Sequence, residues 1–381
     1  MGKKITDVSD VYFTDFRTAG VGLAGKMERL ACAAGLRGID FQDKLVAIKV
    51  HFGEPGNLAF LRHNYAASIA RVVKELKGLP FVTDANALYK GERADAVRHL
   101  RAATENGYHE ASLGCPVIIA DGLRGHDHRI IHIEMKHFKK AYIAAAVAEA
   151  DVIISLNHFK GHVETGFGGA LKNIGMGSGS RDGKYQMHSV AVPKIKRENC
   201  VGCGQCVSHC AYEAITLDSS RKAQINKKIC VGCGQCVAVC NFDAPQISWD
   251  HGGQALGERI AEYSAAVLKG KEHFHINVIT DVSPLCDCVG YNDIPIVPGI
   301  GFLASRDPVA IDSASADLVT EAPINPSSAL HKHIDESGGM GLDKFSLLVP
   351  EARWRESLAY AEDIGLGNVK YKLIRKKYEE A

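Results

Sequence analysis

At 381 residues, with 45 Lys and Arg against 44 Asp and Glu, the chain is close to neutral and long enough for two or more domains with a sizeable core. Balanced charge without a single-sign tail argues against a dedicated nucleic-acid binder, and no apolar run approaches the ~20 residues of a membrane span. The opening MGKKITDVSDVYF lacks the apolar stretch of a secretory signal, so the expected compartment is the cytoplasm, where disulfides are rare.

The predicted elements alternate strand and helix. KLVAIKV (44–50) reads as a buried strand that ends in the turn-forming HFGEPGN. A helix is expected from about Leu58 to Leu76, then a strand at PFVTDAN, a helix over ADAVRHLRAATENG and a strand at PVIIADG. HRIIHIEM alternates like an outer strand, FKKAYIAAAVAEA reads as a helix, and DVIISLNHF is the next strand. This rhythm predicts an α/β fold with a mostly parallel sheet flanked by helices. NHFKGHVETGFGGALKNIGMGSGSRDGK follows that last strand and is too glycine-rich for a regular element. In open α/β sheets the carboxyl ends of the strands are where ligands bind.

Two cysteine runs come next, CVGCGQCVSHC at 200–210 and CVGCGQCVAVC at 230–240. Each reads C-x-x-C-x-x-C-x-x-x-C, the ligand run of a cubane 4Fe-4S cluster, and two in tandem imply two clusters. Three thiolates come from one tight loop in which Gly202, Gly204, Gly232 and Gly234 let backbone N–H groups turn toward sulfur. The last cysteine of each run crosses to the other cluster. The expected sets are therefore Cys200, Cys203, Cys206 and Cys240, and Cys230, Cys233, Cys236 and Cys210. Zinc more often takes two C-x-x-C pairs or mixed Cys/His sets than three cysteines in such a row. The runs divide the chain into an α/β part at 1–191, an inserted small α+β unit at 192–248 and a second α/β part at 249–381.

After the insert, a helix (GQALGERIAEYSAAVLKG) and a strand (HINVITDV) resume the rhythm. In DPVAIDSASADLV, Asp307 is a helix N-cap with Pro308 at the first helical position. Helices are expected near Ser327–Asp335 and Pro350–Asp363, with a strand at VKYKLI. Cys32 and Cys115 read as core.

The strand ends carry the candidate second site: His51 with Glu54 and Asn57, Asp84 with Asn86, and His158, Lys160, His162, Glu164, Lys172 and Asn173. Histidines there can move protons or bind a metal, and a desolvated lysine can act as a base or hold an anion. Gly166, Gly168 and Gly169 would let a ligand lie against backbone. GFGGALKN lacks the G-K-[ST] ending of a phosphate loop, and no G-x-G-x-x-G nicotinamide fingerprint follows a strand. Cys286 and Cys288 form a C-D-C pair whose alternation in an extended segment would point both thiols one way. They could ligate a metal, form a redox pair or hold a substrate.

Residues Lys194–Ser248 resemble the bacterial two-cluster ferredoxins, with Ala211 and Asn241 where those carry proline after the fourth cysteine. HFGEPGN, TDANALYKG, GHVETGFGGALKNIGMG, CDC and GFLASRDPVAID resemble the domain-of-unknown-function 362 family of iron–sulfur proteins. That resemblance implies a redox-associated α/β protein with an inserted ferredoxin unit. HVETGFGGALK is also similar to the stretch of lactate racemases whose lysine tethers a nickel-pincer nucleotide, with His162 and Lys172 at the matching positions. The leading expectation is an oxidoreductase or oxidoreductase component. Its two 4Fe-4S clusters would pass single electrons between a redox partner protein and a cleft that takes an anionic small molecule or a further cofactor. The rivals are a ferredoxin-like carrier or adaptor whose large domain docks a partner, and a metal-handling or maturation factor using Cys286 and Cys288.

Overall fold

The computed structural model describes residues 8–88, 91–188, 192–210, 212–230, 236, 240, 242, 244–246 and 252–378. Eight strands form one central sheet: β1 (Ser9–Asp15), β2 (Leu45–Lys49), β3 (Leu79–Asp84), β4 (Val117–Ile119), β5 (Val152–His158), β6 (Glu272–Ile279), β7 (Gly301–Ser305) and β8 (Tyr371–Arg375). They lie in the order β8-β1-β7-β6-β5-β2-β3-β4. Every pairing is parallel except the two made by β7. Both faces of the sheet are covered, which is why its strands read as unbroken apolar runs. Side chains alternate between two cores: Val46, Ile48 and Ile154 face one, while Ala47 and Ile153 face the other. The first core is closed by α1 (Leu23–Ala33) and α2 (His63–Glu75) through Leu30, Ile69 and Val73. The second is closed by α4 (Ala170–Ser178), α6 (Gly252–Leu268), α7 (Pro308–Glu321) and α8 (Trp354–Asp363) through Ile174, Ile260, Ala314 and Leu358. Beside the sheet lie α3 (Ala96–Glu105), capped by Asp95, and α5 (Arg181–His188).

Several expectations need correction. α2 starts at His63 rather than near Leu58. Asn57 holds the preceding stretch extended by donating to the carbonyls of Val289 and Tyr291, and Asn292 accepts from the Leu58 N–H. The alanine-rich FKKAYIAAAVAEA is a strand at Lys140–Ala144 before a short helix at Ala145–Glu149. The strand pairs with His128–His132, off the central sheet, so tertiary pairing overrides helix propensity. The region Ser327–Asp335 keeps only a 3-10 turn at His331–His333. Arg353, with φ 47°, separates a short turn at Pro350–Ala352 from α8.

The glycine-rich stretch is regular after all. Lys160–His162 pairs with Gly166–Gly168 as a tight hairpin, and α4 follows at once. Its glycines serve close packing. A Cβ on Gly169 would lie 2.3 Å from the Asp312 carboxylate, and one on Gly175 would lie 2.3 Å from the Ile260 carbonyl. Asp312, on α7, is the reason for the first contact. It accepts from the Ala170 and Leu171 N–H groups and from Asn277, satisfying helix donors that the N-cap Gly169 has no side chain to meet.

Residues 192–246 are built differently. Lys194–Ile195 pairs with Pro245–Gln246 and Ile215–Leu217 pairs with Ala223–Ile225, around a small core of cysteines, Ala214, Ile215 and Ala223. Among the described residues no helix is long and apolar enough to cross a membrane.

Asp312→Ala should lower unfolding free energy by about 3 kcal/mol, because three buried donors lose a charged acceptor. Gly169→Ala should act on the same contact. A double-mutant cycle in denaturant should therefore give a combined loss well below the sum. Full additivity would place the Asp312 contribution elsewhere.

Candidate functional site

Four neighbouring strands, β6, β5, β2 and β3, end at one edge of the sheet. Their last residues and the loops that follow line a cleft of about 90 Å³. His51, His158, Lys160, His162, Lys172, Asn173, Gly168, Gly169 and Cys288 all reach it. Gly166 does not; it packs against Ala352 and Trp354.

Behind His158 and Lys160 in the wall sits Asp287, fully buried. Its carboxylate lies 2.9 Å from His158 Nδ1 and 3.3 Å from Lys160 Nζ. Burial pushes this carboxyl up, but His158 and Lys160 push it down by more, and it sits far below the usual carboxylate range. The other nitrogen of His158 lies 2.8 Å from the Thr280 carbonyl, so the ring faces an acceptor on each side. These contacts fix the turn that carries Cys286 and Cys288, closed by the Val289 N–H on the Cys286 carbonyl at 3.2 Å. The cysteines thus sit on a turn, where the sequence suggested an extended segment.

The Cys286 sulfur accepts from Lys172 Nζ at 3.3 Å and from the Cys288 N–H at 3.4 Å. A hydrogen bond from the Cys288 thiol and the Lys172 charge hold Cys286 well below the ordinary thiol range against the cost of burial. His162 stands close by. Burial, then the charge of Lys172, keeps its ring neutral. Its Nδ1 contacts Thr165 Oγ1 at 2.9 Å, and that hydroxyl donates to the Phe167 carbonyl. His51 Nδ1 accepts from the Gly53 N–H at 3.0 Å, and burial holds its ring neutral as well. Asn173 is spent on the scaffold: it donates to the Lys49 and Leu156 carbonyls and accepts from Lys49 Nζ at 2.8 Å.

Beneath the cleft lies a second buried charge group. Lys49 meets Asp84 at 2.8 Å and Arg93 meets Glu54 at 2.8 Å. Asn86 is turned away from the cleft onto Asp121. The sequence did not single out Lys49, Arg93, Lys184 or His188, all of which stand in or behind the cavity wall. Lys49 was legible only as a polar residue ending an apolar strand. Lys184 and His188 lie one helical turn apart on α5, a spacing that would have signalled a shared face.

In the small cysteine unit, Cys200, Cys203 and Cys206 of the first run surround a pocket together with Cys240 of the second. Ile195, Leu217, Phe242 and Pro245 supply apolar walls. The Ala223 N–H points at the Cys200 sulfur at 3.4 Å and the Ala214 N–H at the Cys210 sulfur at 3.3 Å. Gly202 and Gly204 take φ of 73° and 76°, the left-handed turn that wraps the loop. Cys210, Cys230 and Cys236 share the same small core, and Cys233 lies outside the described residues. Cys115 is buried and Cys32 half-buried in the main body, and no described cysteine is in a disulfide.

A family model for the domain of unknown function DUF362 matches residues 46–317. The chain belongs to the DUF362 family. No curated protein matches it. Among solved structures, the lactate racemase apoprotein of Thermoanaerobacterium thermosaccharolyticum is similar at 9% identity and TM-score 0.38, over 97% of this chain and 83% of that one. A structural-genomics protein of Thermotoga maritima is similar at 10% identity and TM-score 0.35, over 67% of this chain. The DUF362 chain spans about half the length of that Thermotoga protein, 49%.

Lys184 makes the cleft sensitive to pH. Burial lowers its pKa from the ordinary 10.5 to about 8, partly offset by Asp121 and Asp84. The unfolded chain therefore holds the extra proton between pH 8 and 10.5, and folding stability should rise with pH across that window. The expected gain in unfolding free energy is roughly 3 kcal/mol, measured by denaturant unfolding at each pH. Lys184→Met should flatten the rise; an unchanged slope would assign it to another group.

Proposed function

We propose that this DUF362 protein is an iron–sulfur redox protein. The unit at 192–248 is a ferredoxin-like insert that holds two 4Fe-4S clusters, between the α/β parts at 1–191 and 249–381. The cleft at the strand ends takes an anionic small molecule or cofactor that exchanges electrons with the clusters and, through them, with a redox partner protein.

The observation that carries this reading is the meeting of Cys240 with Cys200, Cys203 and Cys206 around one pocket, although about thirty residues separate it from that loop. The donor set suits the group. It offers four thiols, apolar walls, and backbone N–H groups turned toward sulfur in place of competing side chains. Such clusters, when bound, supply one-electron transfer at potentials spanning roughly −700 to +450 mV.

The chain's own residues have separate tasks. In the insert, the thiolates bind iron, Ala214 and Ala223 donate to sulfur, and Cys203 lies on the exposed side, where a partner can approach. In the cleft, Lys172 and Lys184 supply positive charge for an anion, and the neutral rings of His51 and His162 can take up or give a proton. A ring contact supports communication between the two sites. Tyr185, on the helix that carries Lys184 and His188, lies 5.9 Å centroid to centroid from Tyr212, two residues beyond Cys210.

Protein prepared without oxygen should carry about eight iron and eight sulfide per chain. Cys203→Ser and Cys240→Ser should erase the same reduced-cluster EPR signal and about half the iron, and Cys230→Ser the other signal. Colourless, iron-free protein would end the reading. If Cys203→Ser and Cys240→Ser erased different signals, the exchange of cysteines between runs would be wrong.

A further inference from the structure

We propose that Cys286, Cys288 and His162 form a separate mononuclear site for a zinc-class divalent metal ion, with its fourth position open to the cleft. This goes beyond the redox reading and does not depend on the clusters. One donor atom from each of the three residues lies within 4.8 Å of the other two. Zinc with sulfur at about 2.3 Å and nitrogen at about 2.0 Å asks for neighbouring ligand atoms roughly 3.5–3.8 Å apart in a tetrahedron. A modest side-chain adjustment covers the difference.

The donor set selects the class of ion. Two thiolates and an imidazole suit zinc and its soft or borderline neighbours, whereas magnesium and calcium prefer oxygen. Three ligands are too few to hold a cubane in the manner of the cysteine runs. They match instead the three-ligand pattern of zinc sites that keep one position for water or substrate.

The surroundings hold the ligands in that arrangement. Asp287, between the two cysteines, is locked by His158 and Lys160, so the turn cannot rotate the thiols apart without breaking a buried ion pair. Lys172 Nζ donates to the Cys286 sulfur, the kind of supporting hydrogen bond that orients a metal-bound thiolate. On the third ligand, His162 Nδ1 accepts from the Thr165 N–H at 3.1 Å and the Glu164 N–H at 3.3 Å, which fixes the ring's orientation, and the Thr165 hydroxyl lies 2.9 Å away while donating to the Phe167 carbonyl. Metal binding at Nε2 would move the ring proton to Nδ1, where the Thr165 hydroxyl oxygen can accept it. Cys288 and His162 line the cleft while Cys286 lies behind them, 3% exposed. The open position therefore faces the cavity. Two thiolates balance the ion's charge, so the nearby Lys172 and Lys160 leave that position suited to an anionic ligand, a carboxylate or phosphate oxygen.

The test uses the full chain, isolated without oxygen with its iron and sulfide in place. Zinc is titrated against a competing chelator and the bound ion is read at the zinc X-ray absorption edge. The wild type should bind one zinc with two sulfurs at about 2.3 Å. Cys286→Ser/Cys288→Ser should weaken that zinc by at least about 100-fold. Zinc should also protect Cys286 and Cys288 from alkylation, mapped by peptide mass, and His162→Ala should remove the protection, which keeps the test valid if the double variant does not fold. Equal zinc binding in wild type and double variant, a four-sulfur shell, or alkylation indifferent to zinc would each overturn the proposal. Iron and sulfide measured on the same samples separate the two readings. Iron-free protein that still binds zinc through two sulfurs removes only the redox reading, and iron-loaded protein with no zinc protection removes only this one.

Discussion

A carboxylate stays ionised in a dry interior only if cations close around it, and the cleft is built on one such case. Asp287 is buried between Cys286 and Cys288, with His158 from the end of β5 on one side and Lys160 from the following hairpin on the other. The pairing ties the loop after β6 to the end of β5. Together with the Glu54 N–H on the Asp287 carbonyl and Asn57 on the Val289 carbonyl, it fixes the C-D-C turn relative to the sheet, with Cys286 beside Lys172. The cost of burying these charges is repaid in geometry rather than stability, since a buried ion pair seldom gains much over apolar packing. His158 and Lys160, which face the cavity, take their positions from that tie.

A second carboxylate does the corresponding work from the opposite side. Asp312 on α7 receives the first N–H groups of α4, and glycine at 169 leaves room for it. This sets the start of the helix, and through it the place of Lys172 and Asn173 one turn later. Asn173 then spends its amide on the Lys49 and Leu156 carbonyls, clamping α4 to the ends of β2 and β5. The two carboxylates thus bring the hairpin and helix of the glycine-rich stretch to the C-D-C turn from two directions. Burial raises the Asp312 carboxyl to about 6 against the pull of its donors, which marks the dryness of the site they enclose.

Much of this was legible in sequence, for definite reasons. β2, β3, β5 and β6 announce themselves because both faces are buried, and Asp307 with Pro308 announces the start of α7 through local capping chemistry. The strand-end residues His51, His158, Lys160, His162 and Lys172 stand out as polar groups where an apolar run stops. What failed to show depends on distant partners. FKKAYIAAAVAEA has helix-forming composition, but its first half becomes a strand because His128–His132 is there to pair with it. Glycines that suggest a loop in isolation are, at 169 and 175, the contact points of a helix with Asp312 and α6. Lys49, Arg93 and Lys184 are ordinary surface residue types in the sequence, and only the tertiary fold makes them interior.

The placement of positive charge relates the two chemical regions. Lys160, Lys172 and Lys184 face the cavity, and Asp287 answers Lys160 directly while Lys172 is answered by sulfur. Sulfur is a weaker acceptor than carboxylate and carries full negative charge only as thiolate, so the local balance depends on the state of Cys286 and on whatever binds beside it. A ligand that brings negative charge, or an ion that fixes both thiolates, completes the balance; an uncharged ligand leaves Lys172 poorly compensated in a buried site. Electron delivery from the proposed insert meets the same constraint. In the proposed reading, an electron passed to a group bound there would add negative charge, which Lys172 and Lys184 would offset. The contact of Tyr185 with Tyr212 joins the helix carrying Lys184 to the cysteine unit on that side.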